Sequence, residues 1–256
     1  MTEWQPDLYL DFERERTQPA IDLAARIDLA DPSRIIDLGC GPGNSTAVLG
    51  RRWPAAEITG LDSSAAMVDR ARTSYPQWRW IQADAAGDLS GLGRFDVVFS
   101  NAAIQWMPDQ GALLGRWLGL VRPGGVLAVQ APNTDHMPIQ TVLDQLVATA
   151  EWRRRLSGQL GLFTTHPLGH YYDALAGSAG RIEVWRTDYH HVLAGHRDLV
   201  RWYAGSGLRP YLARLGETER GRFLEQYEAR LVEAYPPQAD GRLLFPFTRL
   251  FILAWA

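Results

Sequence analysis

The sequence predicts an α/β fold, a doubly wound, mostly parallel seven-stranded sheet that carries a helical lid insertion. Three observations predict it. From Arg34 onward, strand-like runs alternate with helix-like stretches of about ten residues. The first of those strands, "RIIDL", runs straight into a turn of three glycines spaced two apart, "GCGPG". The alternation breaks after Pro132 and resumes in two long strand-like runs near the end of the chain.

The first thirty or so residues read as an extended opening and then a helix. "AIDLAARIDL" sets Ile21, Ala24, Ala25 and Leu29 near one face of that helix. Five strands follow: "RIIDL", "EITGLD", "WRWIQAD", "FDVVFSN" and "GVLAVQA". Between them lie helices at "STAVLGRRW", "SAAMVDRARTSY" and "DQGALLGRWLGLV". Such units imply a parallel sheet covered on both faces. "RPGG", Arg122 to Gly125, ends the last of these helices with proline and glycine as breakers. Residues of about 135–176 hold helical pieces without a convincing strand. "RIEVWRTDYHHVL" is then the sixth strand, two helical segments follow, and "TRLFILAWA" is the seventh. The expected organisation is one domain over residues 1–256, with a core at about 30–132 and helical lid segments at about 133–180 and 195–245.

Composition narrows the function classes. The formal net charge of -3 lacks the basic excess of a nucleic-acid binder. Cys40 is the one cysteine, which rules out an intrachain disulfide and a cysteine-based zinc site, and the histidines lack a metal-ligand spacing. "MTEWQPDLYLDFERER" has acids where a signal peptide needs positive charge, and no stretch approaches the roughly 18 apolar residues of a membrane span. The expectation is a cytoplasmic monomer with no metal, membrane or nucleic-acid partner.

Strand, glycine turn and helix together bind nucleotide-like groups at the carboxyl ends of parallel strands. Gly39, Gly41 and Gly43 let a ligand touch bare backbone, and the helix starting near Asn44 points free N–H groups at it. Gly43 comes one residue too early for the dinucleotide fingerprint G-x-G-x-x-G. Asp37 lies just before the glycines, Asp62 ends the second strand and Asp84 the third, so all three project from one sheet edge. Asp62 suits ribose hydroxyls. Asp37 suits a cationic amino group or caps the glycine turn, and Asp84 suits an exocyclic adenine amine or caps the next helix. Ser63 and Ser64 are natural caps of the helix after the second strand. The ligand these groups favour has a ribose, an adenine and positive charge.

In the form D-L-G-C-G-P-G, the turn resembles motif I of the class I S-adenosylmethionine-dependent methyltransferases. "DVVFSNAAIQW" resembles their motif IV, and "LVRPGGVLAV" the helix, turn and strand that follow. This resemblance covers about residues 34–131. It implies a Rossmann-like fold with S-adenosylmethionine as cofactor, held by Asp37, Gly39, Gly41, Gly43, Asp62, Ser63, Asp84, Ala85 and Asn101. A narrower resemblance, to the trans-aconitate methyltransferases, spans nearly the whole chain. It is carried by "EWQPDLYLDFERERTQPAIDLAAR", "RWPAAEITGLDSS", "NAAIQWMPD", "GVLAVQAP", "HYYDAL", "EVWRTDYHHVL", "SGLRPYL" and "PFTRLFILA". It implies a methyl ester formed on a carboxylate of trans-aconitate.

A carboxylate acceptor is ionised at pH 7 and needs no general base, which agrees with the lack of an obvious one. An acidic small-molecule substrate does need cations and hydroxyls. Arg209 and Arg186 lead the candidates, followed by Tyr172, with Tyr171, His170 and Arg249 behind them; Arg249 has the alternative of flanking the last strand. Trp106 is expected to wall the reaction chamber, with Gln105 or Asn101 as polar contacts. Trp4, Tyr9 and Phe12 either fold over the cofactor or staple the first helix. Three other functions stay open at this level: another small acceptor, a nicotinamide-dependent oxidoreductase, and a cofactor-binding protein without catalysis.

Overall fold

The computed structural model describes residues 12–134, 137–159 and 164–256. In chain order, α1 is Glu13–Ala25, β1 Arg34–Leu38, α2 Asn44–Arg52, β2 Glu57–Asp62, α3 Ala65–Ser74, β3 Arg79–Gln82, β4 Phe95–Asn101, α4 Gln110–Leu118 and β5 Val121–Asn133. The remainder is α5 Pro138–Val147, α6 Arg153–Leu156, α7 Leu168–Ala176, β6 Arg181–Leu193, α8 His196–Ala204, α9 Arg209–Leu212, α10 Glu217–Ala234 and β7 Leu243–Trp255.

The seven strands form one sheet in the order β3-β2-β1-β4-β5-β7-β6. The pairs from β3 through β5 are parallel. β7 runs the other way: the Gly124 N–H donates to the Ala256 carbonyl at 3.0 Å and the Ala256 N–H to Gly125 at 3.2 Å, which joins the chain end to the start of β5. On β6, Arg181 covers the Trp255 ring, Trp185 stacks on Phe251, and Asp188 accepts from the Thr248 hydroxyl. Numbers rise along β6 as they fall along β7, so this pair is antiparallel too. The sheet is mixed, and its strand order reverses between β1 and β4, where an open α/β sheet offers a crevice for ligands.

The chain divides into two compact units. The sheet unit comprises Glu13–Pro132, His166–Thr187 and Arg249–Ala256. Its core packs Leu38, Leu61, Val98, Leu113, Trp117 and Ile252. Its central strands are apolar almost without interruption because helices cover both faces. Trp117 is buried, and its indole N–H donates to the Ala85 carbonyl at 2.9 Å. Truncating a tryptophan buried this well typically costs about 3–5 kcal/mol. The helical unit comprises Asn133–Thr165 and Asp188–Thr248, with Phe12. Its core packs Leu143, Trp152, Trp202, Phe223, Tyr227 and Phe245. Among the described residues, no helix is long and apolar enough to cross a membrane.

Four local expectations change. The buried face of α1 is Ala20, Leu23 and Ala24, continued by Ile27 just past its end, whereas Ile21 is 40% exposed and Leu29 lies beyond the helix. Ala20, Leu23, Ala24 and Ile27 recur at i, i+3, i+4 and i+7, and Ala25, expected on the same face, is exposed. "RPGG" does not end α4, which stops at Leu118 with Gly119 as its C-cap. Those four residues bulge within β5 instead: Phe95 pairs with Val121 and Val97 with Val126, so Arg122–Gly125 stand against Asp96 alone. A Cβ on Gly125 would lie 2.6 Å from the Asp96 carbonyl oxygen, which requires glycine there. Three helices, not two, follow β6, and β7 starts at Leu243.

Candidate active site

The glycine turn leaves β1 directly. Gly39 and Cys40 donate their N–H groups to the Leu61 carbonyl at 2.8 and 3.0 Å, which ties the turn to the end of β2. The three glycines, all at positive φ, have different reasons to be glycine. A Cβ on Gly39 would sit 2.3 Å from the Cβ of Ala103, so its bareness lets the loop after β4 approach. Gly43 caps α2 and lies under the rings of Tyr75 and Trp80. At Gly41 nothing lies within 4 Å of the position a Cβ would take. Gly41 is therefore the point where the backbone faces open space. Gly39→Ala is expected to lose about 2–5 kcal/mol, from left-handed strain of about 1–2 and overpacking of about 1–3. Gly41→Ala is expected to lose only the first of these. Comparing their thermal melts checks the distinction, and equal destabilisation would contradict it.

Asp62 holds this turn as well as facing it. One carboxylate oxygen accepts the Gly41 N–H at 2.9 Å, and the other accepts the Ser64 N–H at 2.9 Å. Burial raises its pKa, opposed by the backbone N–H groups of Ser64, Gly41 and Ser63. Ser64 caps α3 through Met67 as expected, while the Ser63 side chain is exposed. Asp37 is fully buried on β1, and a single oxygen, Oδ2, accepts both the Ser45 and Thr46 hydroxyls, at 2.6 and 2.7 Å. Its Oδ1 is buried without a hydrogen-bond partner. Burial pushes the Asp37 carboxyl up from 3.8 to about 6, against the two hydroxyls and with help from the Asp62 charge.

Asp84 lies just past β3, exposed, and closes its own turn by accepting the Ala86 N–H at 2.9 Å. No helix follows directly for it to cap. Ala85 is buried in the sheet core. After Asn101, which ends β4, Ala102 is forced to φ 54. Gln105 steadies this strained residue by donating to its carbonyl at 2.6 Å. Oδ1 of Asn101 and Oε1 of Gln105 are buried without partners. Trp106 is half-buried beside them in sequence.

The acceptor candidates divide between the units. In the sheet unit, His170 and Tyr172 are exposed on α7 and Arg186 is exposed on β6, while Arg249 is buried on β7. Tyr171 is fully buried; its hydroxyl donates to Gln110 at 2.7 Å and accepts the His166 N–H at 3.0 Å, which holds α7 on α4. Arg209 belongs to the helical unit, at the first position of α9. Burial lowers its pKa to about 10, and it is charged at neutral pH. Tyr9 and Trp4 lie outside the described residues, and the Phe12 ring stands 5.0 Å from that of Trp202.

Two features went unread in the sequence. Around α5, Tyr203 donates to Gln140, Tyr227 donates to the Ile139 carbonyl at 2.6 Å, and Tyr235 accepts the Ile139 N–H at 3.1 Å. Burial lifts the Tyr211 and Tyr235 phenols to about 12, so they stay protonated. The second is Gln130 on β5, wholly buried, with neither amide atom hydrogen-bonded. One polar residue inside the apolar run "GVLAVQAP" was the available signal for it.

A family model described as "Methyltransferase domain" matches residues 35–125, the stretch holding the glycine turn with Asp37 and Asp62. Among solved structures, phosphoethanolamine N-methyltransferase 2 of Haemonchus contortus, determined with S-adenosyl-L-methionine, is similar at TM-score 0.56 and 16% identity. That match covers 93% of this chain and 52% of the other, about half its length, and it speaks to the fold. The trans-aconitate 2-methyltransferase of Rhodopseudomonas palustris (strain BisB18) is 45% identical over 99% of both chains. Its namesake in Azoarcus sp. (strain BH72) is 44% identical over 99% of both. This likeness extends from the cofactor-side turn through the segments carrying Arg209 and β7, and the chain belongs to the trans-aconitate 2-methyltransferase family.

Proposed function

We propose that this chain transfers a methyl group from S-adenosylmethionine to a carboxylate of trans-aconitate, at the 2-position that its relatives' names specify, to give a monomethyl ester and S-adenosylhomocysteine. The observation that carries the cofactor half is the Asp62 clamp, which fixes a carboxylate beside the open backbone of Gly41. Asp62 has lone pairs left for ribose hydroxyls, and the unpartnered Oδ1 of Asp37 suits a cationic amino group. Gly39 and Gly43 shape the turn, with Ser63, Asp84, Ala85, Asn101 and Tyr9 completing the proposed cofactor set. S-adenosylmethionine supplies an electrophilic methyl group on a positively charged sulfur.

The protein's own work is placement and exclusion of water. An acceptor carboxylate is ionised at neutral pH, so no side chain must remove a proton. Arg209 is the leading anchor: a half-buried guanidinium can grip a carboxylate with two N–H groups. Arg186, Tyr172, His170 and Arg249 are the further acceptor candidates, and the Tyr171 hydroxyl is left to its packing role. Gln105 and Trp106 position the turn after β4. The enzyme acts as a monomer in the cytoplasm, on a small acid and not on nucleic acid or membrane.

Asp37 predicts a pH dependence. Folded, it keeps its proton up to about pH 6; unfolded, only to about 3.8. The folded chain therefore holds more protons in that window, and this group's contribution to stability falls as pH rises through it. Cofactor affinity should move oppositely, flat above pH 7 and dropping by up to about tenfold per unit below 6, as the charge facing a cation is lost. Calorimetric titrations at pH 5, 6 and 7 check this, and Asp37→Asn should flatten the curve. The reading as a whole is tested by titrating S-adenosylmethionine and NADH in parallel: binding of the first alone is expected, and binding of NADH alone would replace it with an oxidoreductase.

A further inference from the structure

Gln130 is buried to 0% exposure in a strand of valine, leucine and alanine, yet neither its amide oxygen nor its amide nitrogen has a hydrogen-bond partner. An unmet buried amide is costly, and a leucine or methionine would fit such a strand without that cost. Its position is informative. Gln130 is the register partner of Asn101, and Asp37 is level with Phe99 on one side and Gly60 on the other. Two residues further along each strand, Gly39 is level with Asn101 and with Asp62. One row therefore runs along the carboxyl ends of β2, β1, β4 and β5 as Asp62, Gly39 just past β1, Asn101 and Gln130, with the Asp62, Asn101 and Gln130 side chains on one face of the sheet. At about 4.8 Å per strand it spans about 14 Å. Gln130 closes the row at the end away from Asp62, two strands beyond the glycine turn.

We propose that Gln130 is a direct contact of both reactants, its amide N–H donating to the acceptor carboxylate and its carbonyl oxygen facing the cationic cofactor. This assignment rests on the methyl-transfer reading above. The reaction requires an anion and a cation to come within reacting distance. A charged side chain beside them would hold one and repel the other. A neutral amide offers a donor to the anion and an acceptor to the cation at once, and here both ends are left unused by the protein. Asn101, level with Gln130, also has a buried amide oxygen without a partner, as does Gln105. The Gln105 orientation is set by its own amide, which donates to Ala102.

The test uses the full-length protein with Gln130→Met and Gln130→Glu. Three quantities are read for each: the melting temperature without ligand, the Kd for S-adenosylmethionine, and kcat and KM for trans-aconitate. Gln130→Met should melt at or above the wild-type temperature, since it removes an unmet amide at similar volume. It should bind S-adenosylmethionine about 3- to 10-fold more weakly than wild type, because the carbonyl acceptor is gone, and lose about 10- to 100-fold in kcat/KM. Gln130→Glu should bind S-adenosylmethionine as well or better, with KM for the acid raised about 100-fold or more. A purely structural amide would instead give a lowered melting temperature in Gln130→Met with kinetics intact, and that overturns the proposal. Equal loss of cofactor affinity in both variants overturns it too, by making Gln130 a cofactor contact only. Wild-type protein that binds S-adenosylmethionine but does not methylate the acid overturns the reaction reading, and the proposal with it, before any variant is measured.

Discussion

Asp62→Ala is expected to weaken S-adenosylmethionine binding by about a thousandfold while the protein still folds. The carboxylate accepts the N–H groups of Gly41 and Ser64, so its loss frees the turn that should carry the ligand. Each such charge-assisted bond is worth about 1.5–3 kcal/mol, and the ribose contacts go with them. A total of about 4 kcal/mol corresponds to a factor of about a thousand in Kd. The sheet core lies beneath the turn and does not depend on it, so cooperative melting should survive. Asp62→Asn keeps an acceptor oxygen for one N–H and should lose only about 10- to 30-fold. Fluorescence or calorimetric titration of the three proteins measures this. Binding by Asp62→Ala within tenfold of wild type would remove Asp62 from the site.

Arg209→Ala carries the second large effect, on the acceptor alone. Truncating a half-buried guanidinium that pairs with a carboxylate costs about 2–4 kcal/mol, or about 30- to 1000-fold in kcat/KM. The loss should fall mainly on KM, because the grip is the same before and during transfer. Arg209→Lys should recover about tenfold at most, since an ammonium lacks the planar fork. Cofactor affinity should not move. Steady-state kinetics with a parallel titration separates the two, and an Arg209→Ala enzyme within threefold of wild type would shift the anchor to Arg186 or Arg249.

The glycine turn and its acids were legible because strand geometry leaves few choices: residues at the ends of parallel strands share one edge, and Asp37, Asp62 and Asp84 lie at or just past the carboxyl ends of β1, β2 and β3. The division of labour among them was not legible. Gly39 is bare for Ala103, a neighbour distant in sequence, and Asp62 gives one oxygen to the N–H of Gly41, twenty-one residues away, which no local pattern reveals. Tyr171 shows the same limit. In the sequence its hydroxyl was as available as that of Tyr172, but Gln110 and His166 engage it in the fold. The α1 face slipped because Ile21 looked like an anchor, whereas the helix starts at Glu13 and buries Ala20 and Leu23. Gln130 went unread although it is polar in an apolar strand, because only the register with Asn101 shows where it lies.

The measurement that bears most directly on the central claim is transfer of labelled methyl from S-adenosylmethionine to trans-aconitate, run beside cis-aconitate, citrate and isocitrate. The expected result is a base-labile methyl ester, formed mainly from trans-aconitate and carrying its methyl at the 2-position. Intact S-adenosylmethionine binding with no ester from any of the four acids would contradict the assigned acceptor and leave only the fold and the cofactor site standing.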